Sequence, residues 1–221
     1  GLNIKINISR RHHQSMKALI VIGYHKKDSF NHGIVQTIKK EYESYDKPCT
    51  VIDLYDDEFH AAFHAEKNEK LIERYKKLIK EATHIYFVSP VWWFRCTSML
   101  EGFFDQIFVP GFAYKFRAIT KTYGVPEPLL RDKTVYTYLT HGAPALPVHT
   151  LYINSVKWRL QLGVFSFVFG WFRPTIRQFF SVPFCSDKKR EKYLKTVWRD
   201  VQTEVQKWSK NDWFSDLPWH S

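Results

Sequence analysis

A chain of 221 residues, 44% apolar and 17% aromatic, is long enough for one sizeable domain and too rich in core-forming side chains to be disordered. Its formal charge of +11 favours anionic ligands or surfaces and leaves nucleic acid, acidic lipid and phosphorylated cofactors open. Cys49, Cys96 and Cys185 stand far apart in no CxxC or metal-binding spacing, which excludes a disulfide scaffold and points to a reduced, cytoplasmic compartment.

Residues 1–15, GLNIKINISRRHHQS, lack the apolar core of a signal peptide, and Met16 followed by KALIVIG reads as a natural start. The first fifteen residues are therefore an extension; without its Lys5, Arg10 and Arg11 the charge is +8. Alternation of Ile4, Ile6 and Ile8 there suits an edge strand. A single domain is expected over 16–221, since no Ser/Gly-rich linker or internal repeat divides it.

KALIVIG, residues 17–23, is a continuous apolar run, the pattern of a central parallel strand buried on both faces. After the polar turn YHKKDSFN, Ile34, Val35, Ile38 and Tyr42 share one face of a helix ending near Lys47-Pro48. TVIDLY (50–55) reads as a second strand, Leu71, Ile72, Tyr75, Leu78 and Ile79 as a second helix, and HIYFVSP as a third strand ending at Pro90. Met99, Leu100, Phe103, Phe104, Ile107 and Phe108 repeat the helical spacing before a fourth strand, TVYTYLTHG (134–142). A mostly apolar helical stretch from about 150 to 169, a weaker strand near 174–181 and a last helix bearing Leu194, Val197, Trp198, Val201, Val205 and Trp208 complete the chain.

Five strands alternating with helices predict an α/β fold, a doubly wound parallel sheet covered on both faces. Such sheets bind ligands at the carboxyl ends of their strands, where the strand order reverses. Three loops fall there: YHKKDSFN, SPVWWF and THGAP. The first lacks the GxGxxG and P-loop patterns, yet Ser29, Asn31, two lysines and the N–H groups of a helix start make either a phosphate cradle or a plainly capped helix. The second puts a proline, two tryptophans and a phenylalanine on a chain reversal, where flat rings serve a ligand better than a core.

PVWWF followed by SMLEGFFDQIFVPGFAY resembles the signature of the flavodoxin-like NAD(P)H:quinone oxidoreductase family, and DSFNHG resembles its phosphate loop. THGAP matches the family's Thr-Gly-Gly type loop in part, with Ala143 and Pro144 where relatives often carry a second glycine. The likeness runs from Lys17 to about Trp208. It implies a flavodoxin-like sheet of order 2-1-3-4-5 and an NAD(P)H dehydrogenase (quinone). Such an enzyme passes two electrons from NADPH or NADH through bound FMN or FAD to a quinone or similar flat acceptor, in ping-pong fashion and as a homodimer.

By the same resemblance His25, Ser29, Phe30 and Asn31 bind the cofactor, the last three at its phosphate. Pro90, Val91, Trp92, Trp93 and Phe94 would line the ring edge. Thr140, His141 and Gly142 would lie near the pyrimidine end, the loop supplying backbone N–H groups and His141 a catalytic side chain. Trp93, Tyr114 and Phe116 would wall the substrate pocket, the last two across the dimer interface. His149 and Tyr152 occupy the stretch where a catalytic tyrosine and histidine are sought, and suit surface or helix packing equally.

Relatives that act as regulatory subunits of potassium efflux systems suggest the alternative of a flavin protein docking on a membrane partner, which the basic surface suits. No transmembrane segment is expected: the apolar run Leu160–Phe172 has 13 residues, against the roughly 20 that cross a bilayer. A flavodoxin-type one-electron carrier fits the positive charge poorly, and a nucleic-acid binder would interleave its aromatics with lysines instead of gathering them at one loop. His60 and His64 are four apart but lack a third ligand, so no metal is expected. Cys96, with no histidine close in sequence, reads as a passive thiol, and Asp53 and Asp105 as a strand end and a helix surface.

Overall fold

The computed structural model describes residues 14–62 and 68–215, with side chains up to residue 210. Ile4, Ile6, Ile8 and His64 lie outside the described residues. The elements run β1 (Ala18–Ile22), α1 (Phe30–Ser44), β2 (Cys49–Asp53), α2 (Glu69–Glu81), β3 (His84–Pro90) and α3 (Ser98–Ile107). A hairpin of β4 (Tyr114–Ala118) and β5 (Gly124–Pro128) precedes β6 (Thr134–Thr140), the short α4 (Ala145–His149), α5 (Ser155–Trp158) and α6 (Phe165–Val168). β7 (Thr175–Phe179) and the long α7 (Asp187–Ser215) finish the chain. The parallel sheet has the order β2-β1-β3-β6-β7, which is the expected 2-1-3-4-5 counted without the hairpin.

Side chains of β1 alternate between two cores, as the two-residue period of a strand requires. Leu19 and Val21 join Ile85, Phe87 and the α3 residues Leu100, Phe103 and Phe104 on one face. Ala18, Ile20 and Ile22 join Ile34, Val35 and Ile38 of α1 and Val197, Val201 and Val205 of α7 on the other. Burial on both faces explains why β1 and β3 read as unbroken apolar runs.

Beneath α7 the second core contains a seam of tyrosines with every hydroxyl partnered. Tyr42 and Tyr86 share a hydrogen bond of 2.7 Å, Tyr136 donates to Glu204 (2.8 Å) and Tyr138 to Asp200 (3.0 Å). Arg177 closes the seam with two bonds to Asp200, 3.0 and 2.7 Å long.

Several elements depart from the sequence expectation. The helix over 150–169 is broken: Ile153 and Asn154 sit at φ of 53° and 49°, and a π-helical turn, Arg159–Val164, separates α5 from α6. The hairpin was unforeseen because Pro126 and Pro128 and a mostly exposed β4 lack a strand's alternation. α1 stops at Ser44, and α7 begins at Asp187, ahead of its first apolar stripe. Among the described residues no helix is long and apolar enough to cross a membrane.

Gly102 lets α3 approach the loop after β2. A Cβ there would lie 2.6 Å from both the Cα and the carbonyl oxygen of Ala61, and Gln106 Nε2, one turn on, donates to the His60 carbonyl at 2.8 Å. Gly102→Ala is expected to cost about 1–3 kcal/mol, because backbone must move to relieve the overlap. Urea unfolding measures it, and an unchanged midpoint would show that the loop yields freely.

Candidate functional site

The carboxyl ends of the strands surround a cleft of about 420 Å³. Tyr24, Ser29, Phe30 and Asn31 contribute from the loop after β1, and Pro90, Val91 and Trp92 from that after β3. Thr140, His141 and Gly142 come from β6 and its loop, and Val182, Pro183 and Arg190 from the segment after β7.

One end of the cleft gathers hydrogen-bond donors. Ser29 caps α1, its Oγ accepting from the His32 N–H at 3.3 Å. The Phe30 and Asn31 N–H groups donate to no other backbone group among the described residues, and no acid sits in the first turn. Unpaired N–H groups at a helix start carry positive potential and bind phosphate. Asn31 is buried, and its Oδ1 accepts from Thr140 Oγ1 at 2.9 Å, which leaves the amide Nδ2 as its donor. Arg190 is held in place by the carbonyls of Val182 (3.3 and 3.1 Å) and Pro183 (3.3 Å) and by Asp187 (2.8 Å).

His141 is buried at the end of β6. Its N–H donates to the Phe179 carbonyl (2.7 Å), its Nε2 lies 2.9 Å from Gln178 Oε1, and its ring stacks on Phe180 at 4.7 Å. Burial, with some repulsion from His149, pushes its pKa below the ordinary value despite the Gln178 bond, which favours the neutral ring. Of the backbone N–H groups expected from this loop, that of His141 is taken by β7. No backbone carbonyl among the described residues accepts from the Gly142 N–H.

The WWF loop is a tight reversal. Trp92 and Arg95 exchange backbone hydrogen bonds of 2.9 and 3.2 Å, and the two central residues, Trp93 and Phe94, have φ of 51° and 60°. Turns with two positive φ values favour Asn-Gly, and bulky residues in this region cost about 1–2 kcal/mol each. The exit is pinned by the Cys96 N–H to Glu101 Oε1 (3.0 Å) and the Thr97 N–H to Ser89 Oγ (3.1 Å). Such strain persists only where surrounding bonds hold it. Trp93 is 88% exposed, so Trp93→Asn is expected to raise stability by about 1 kcal/mol, read as an increase in Tm. A lower Tm would mean that the indole has a stabilising contact.

Of the remaining sequence candidates, His25, Phe94, Tyr114, Phe116, His149 and Tyr152 do not line the cleft. His25 packs against Tyr24 (5.0 Å), Tyr55 (5.8 Å) and Trp92 (6.4 Å). Phe94 lies 4.3 Å from Tyr152, and His149 meets Phe180 at 5.2 Å. Tyr114 and Phe116 are on the hairpin, edge to face at 5.5 Å, with Tyr114 also against Phe167. Phe30 turns its ring to Phe179 and Tyr193, which leaves its N–H as the donor it offers the cleft.

Tyr24, Val182, Pro183 and Arg190 were not anticipated. The rule that selects the loops after β1, β3 and β6 also selects the one after β7, and Arg190 was hidden in the run SDKKREK, which reads as a solvated helix face. Cys96 is fully buried, and burial pushes its thiol pKa far up, as an inert cysteine requires. His60 joins no group of three metal-ligating side chains among the described residues.

The donor set, with phosphate-ready N–H groups and an arginine at one end and a Pro-Val-Trp edge at the other, fits a flavin nucleotide. The guinea pig (Cavia porcellus) NAD(P)H dehydrogenase [quinone] 1 is 24% identical over 68% of this chain, a match spanning 64% of that protein. The NAD(P)H:quinone oxidoreductase of Methanothermobacter marburgensis superposes with a TM-score of 0.70 at 18% identity, covering 85% of this chain and 98% of that one. The FMN-dependent NADH-azoreductase of Bacillus anthracis, solved with FMN, does so at 0.62 and 16% identity, covering 87% and 99%. The family described as having a flavodoxin-like fold matches residues 16–199, and with the strand order and the cleft at its switch point this chain belongs to that family.

Proposed function

We propose that the chain is a flavin-dependent NAD(P)H:quinone oxidoreductase, with FMN or FAD in the cleft at the carboxyl ends of the strands. The observation that carries this reading is the unpaired start of α1 beside Arg190, facing the Pro90–Trp92 edge across one cleft at the sheet's switch point. The names of the similar quinone reductases and of the FMN-bound azoreductase support it. Bound there, a flavin would supply two-electron chemistry between NADH or NADPH and a quinone-like acceptor.

The chain's residues bind and orient. The Phe30 and Asn31 N–H groups, Asn31 Nδ2 and Arg190 hold the phosphate end, and Pro90, Val91 and Trp92 fix the ring's edge. The Gly142 N–H is a donor for negative charge at the far end, and His141, tied to Gln178, shapes that wall. Trp93 and Phe94 stand at the mouth, where nicotinamide and acceptor would stack in turn. Initial rates with NADPH and a benzoquinone are expected to give parallel lines, and Trp93→Asn to raise the apparent KM for both substrates. Intersecting lines would refute alternate occupancy.

A two-fold homodimer completes the proposal. Phe116, Tyr123, Leu151 and Ile153 are each 60–73% exposed, and a second copy would cover them and bring Tyr114 and Phe116 to the cleft. Sedimentation should find a dimer at micromolar concentration; a fully active flavin-bound monomer would rule this out.

A further inference from the structure

Ser29 is a wall shared by the flavin cleft and a second groove of about 660 Å³. Behind it the His32 ring spans two partners: Nδ1 is 3.2 Å from Ser29 Oγ, and Nε2 is 3.1 Å from Asp53 Oδ2. Lys27 also donates to Asp53 Oδ2, and the other carboxylate oxygen accepts from the Tyr55 and Asp56 N–H groups at 3.1 and 3.3 Å. Burial on its own would raise the Asp53 pKa, but the bonds from Lys27 and His32 outweigh it and hold the group below the ordinary value. Asp53 is thus a carboxylate at neutral pH and needs a proton on His32 Nε2.

The state of Nδ1 then decides what Ser29 can do. With a neutral ring, Nδ1 is an acceptor, the Ser29 hydroxyl gives it its only hydrogen, and a lone pair is left towards the cleft. With a protonated ring, Nδ1–H donates to Ser29 Oγ. That oxygen already accepts from the His32 backbone N–H (3.3 Å), so both lone pairs are taken and the hydroxyl hydrogen is free for an anion.

We propose that His32 is a positioning residue that sets the direction of the Ser29 hydroxyl, so that binding the phosphate end of a flavin is coupled to a proton on His32 Nδ1. This rests on the cleft being a flavin site. Lys27, Asp28, Lys39, Asp53, Asp56 and Asp57 line the same groove as His32. Lys27 is paired to Asp53 and, at 2.7 Å, to Asp56. The new positive charge thus has Asp53 on one side and the phosphate beyond Ser29 on the other. Because the bound form favours that proton, affinity falls as pH rises and the ring loses it.

The test is titration of the full flavin-free chain, wild type and His32→Asn, with FMN and with riboflavin, which lacks the phosphate. An asparagine amide can sit at the Nδ1 position and donate to Ser29 at every pH. The phosphate of FMN itself titrates near pH ~6, equally for both proteins, and cancels in the ratio of their Kd values. For FMN the ratio of wild type to variant should rise about tenfold from acid to alkaline pH, and for riboflavin it should stay flat. A flat FMN ratio, with FMN still bound more tightly than riboflavin, would overturn the role of His32 and leave the flavin site standing. FMN no tighter than riboflavin would overturn the phosphate site and this proposal together. Should the variant fold poorly, the His32 Cε1–H resonance of wild type gives the same answer: its titration midpoint should move up when FMN saturates the protein, and an unmoved midpoint refutes the linkage.

Discussion

Alanine at both Ser29 and Asn31 is expected to weaken flavin binding by about 3 kcal/mol or more, at least a hundredfold in Kd. Each loses a donor to an anionic group, a bond stronger than one between neutral partners because charge assists it. The pair has a structural cost as well. Ser29 caps α1, and Asn31 Oδ1 is the acceptor for the buried Thr140 hydroxyl. Losing the cap costs about 1 kcal/mol and orphaning Thr140 another 1–2, which the sheet can bear. Urea unfolding and flavin titration on the same sample separate the two effects. Unchanged flavin affinity would show that the phosphate is elsewhere.

Glu204→Ala is expected to destabilise the fold by about 3 kcal/mol without touching the cleft. Glu204 is 8% exposed, accepts from Tyr136 (2.8 Å), and lies 3.4 Å from both His84 Nε2 and Lys207 Nζ. Removing it leaves a buried hydroxyl and imidazole without their partner. Glu204→Gln keeps an acceptor for Tyr136 and should cost less. Burial opposes ionisation of Glu204, yet the bonds from His84 and Tyr136 prevail and pull its pKa from 4.5 to about 2. A depressed carboxylate stabilises the native state above its unfolded pKa, so this contribution is complete above roughly pH 4.5 and is lost as pH falls through about 2. The difference between wild type and Glu204→Ala in urea unfolding should be largest at neutral pH and shrink in acid. A constant difference would mean that packing, not charge, makes it.

What the sequence revealed depends on which forces act locally. β1 and β3 are buried on both faces, so their apolar runs are unbroken and their ends legible to a residue or two. α1, α2 and α3 bury one stripe each, and the 3.6-residue period shows it. The β4–β5 hairpin escaped because cross-strand pairs such as Phe116 with Pro126 leave no alternating pattern. Phe165 and Phe169 pack into the same core as Phe87, which is why 150–169 looked like one continuous helix although its backbone turns at Ile153-Asn154.

The site divides in the same way. Loops at the carboxyl ends of the strands were readable from topology, and the residues at their tips from resemblance. Their hydrogen bonds were not. His141 spends its N–H on β7, and Asn31 turns its oxygen to Thr140, contacts that join segments 38 and 109 residues apart in the chain. Ser29–His32–Asp53 is half local, since a residue three places on in a helix faces its cap, and half tertiary, since Asp53 arrives from the next strand.

The most direct test of the account is flavin retention. The full chain, freed of ligand, would be mixed with FMN, FAD or riboflavin and passed through a desalting column, and the absorption of the protein fraction measured. The account predicts a yellow protein carrying close to one FMN or FAD per chain, with riboflavin held more weakly because it has nothing for Asn31, Arg190 and the start of α1 to grip. A colourless protein fraction after FMN and FAD alike would contradict the central claim.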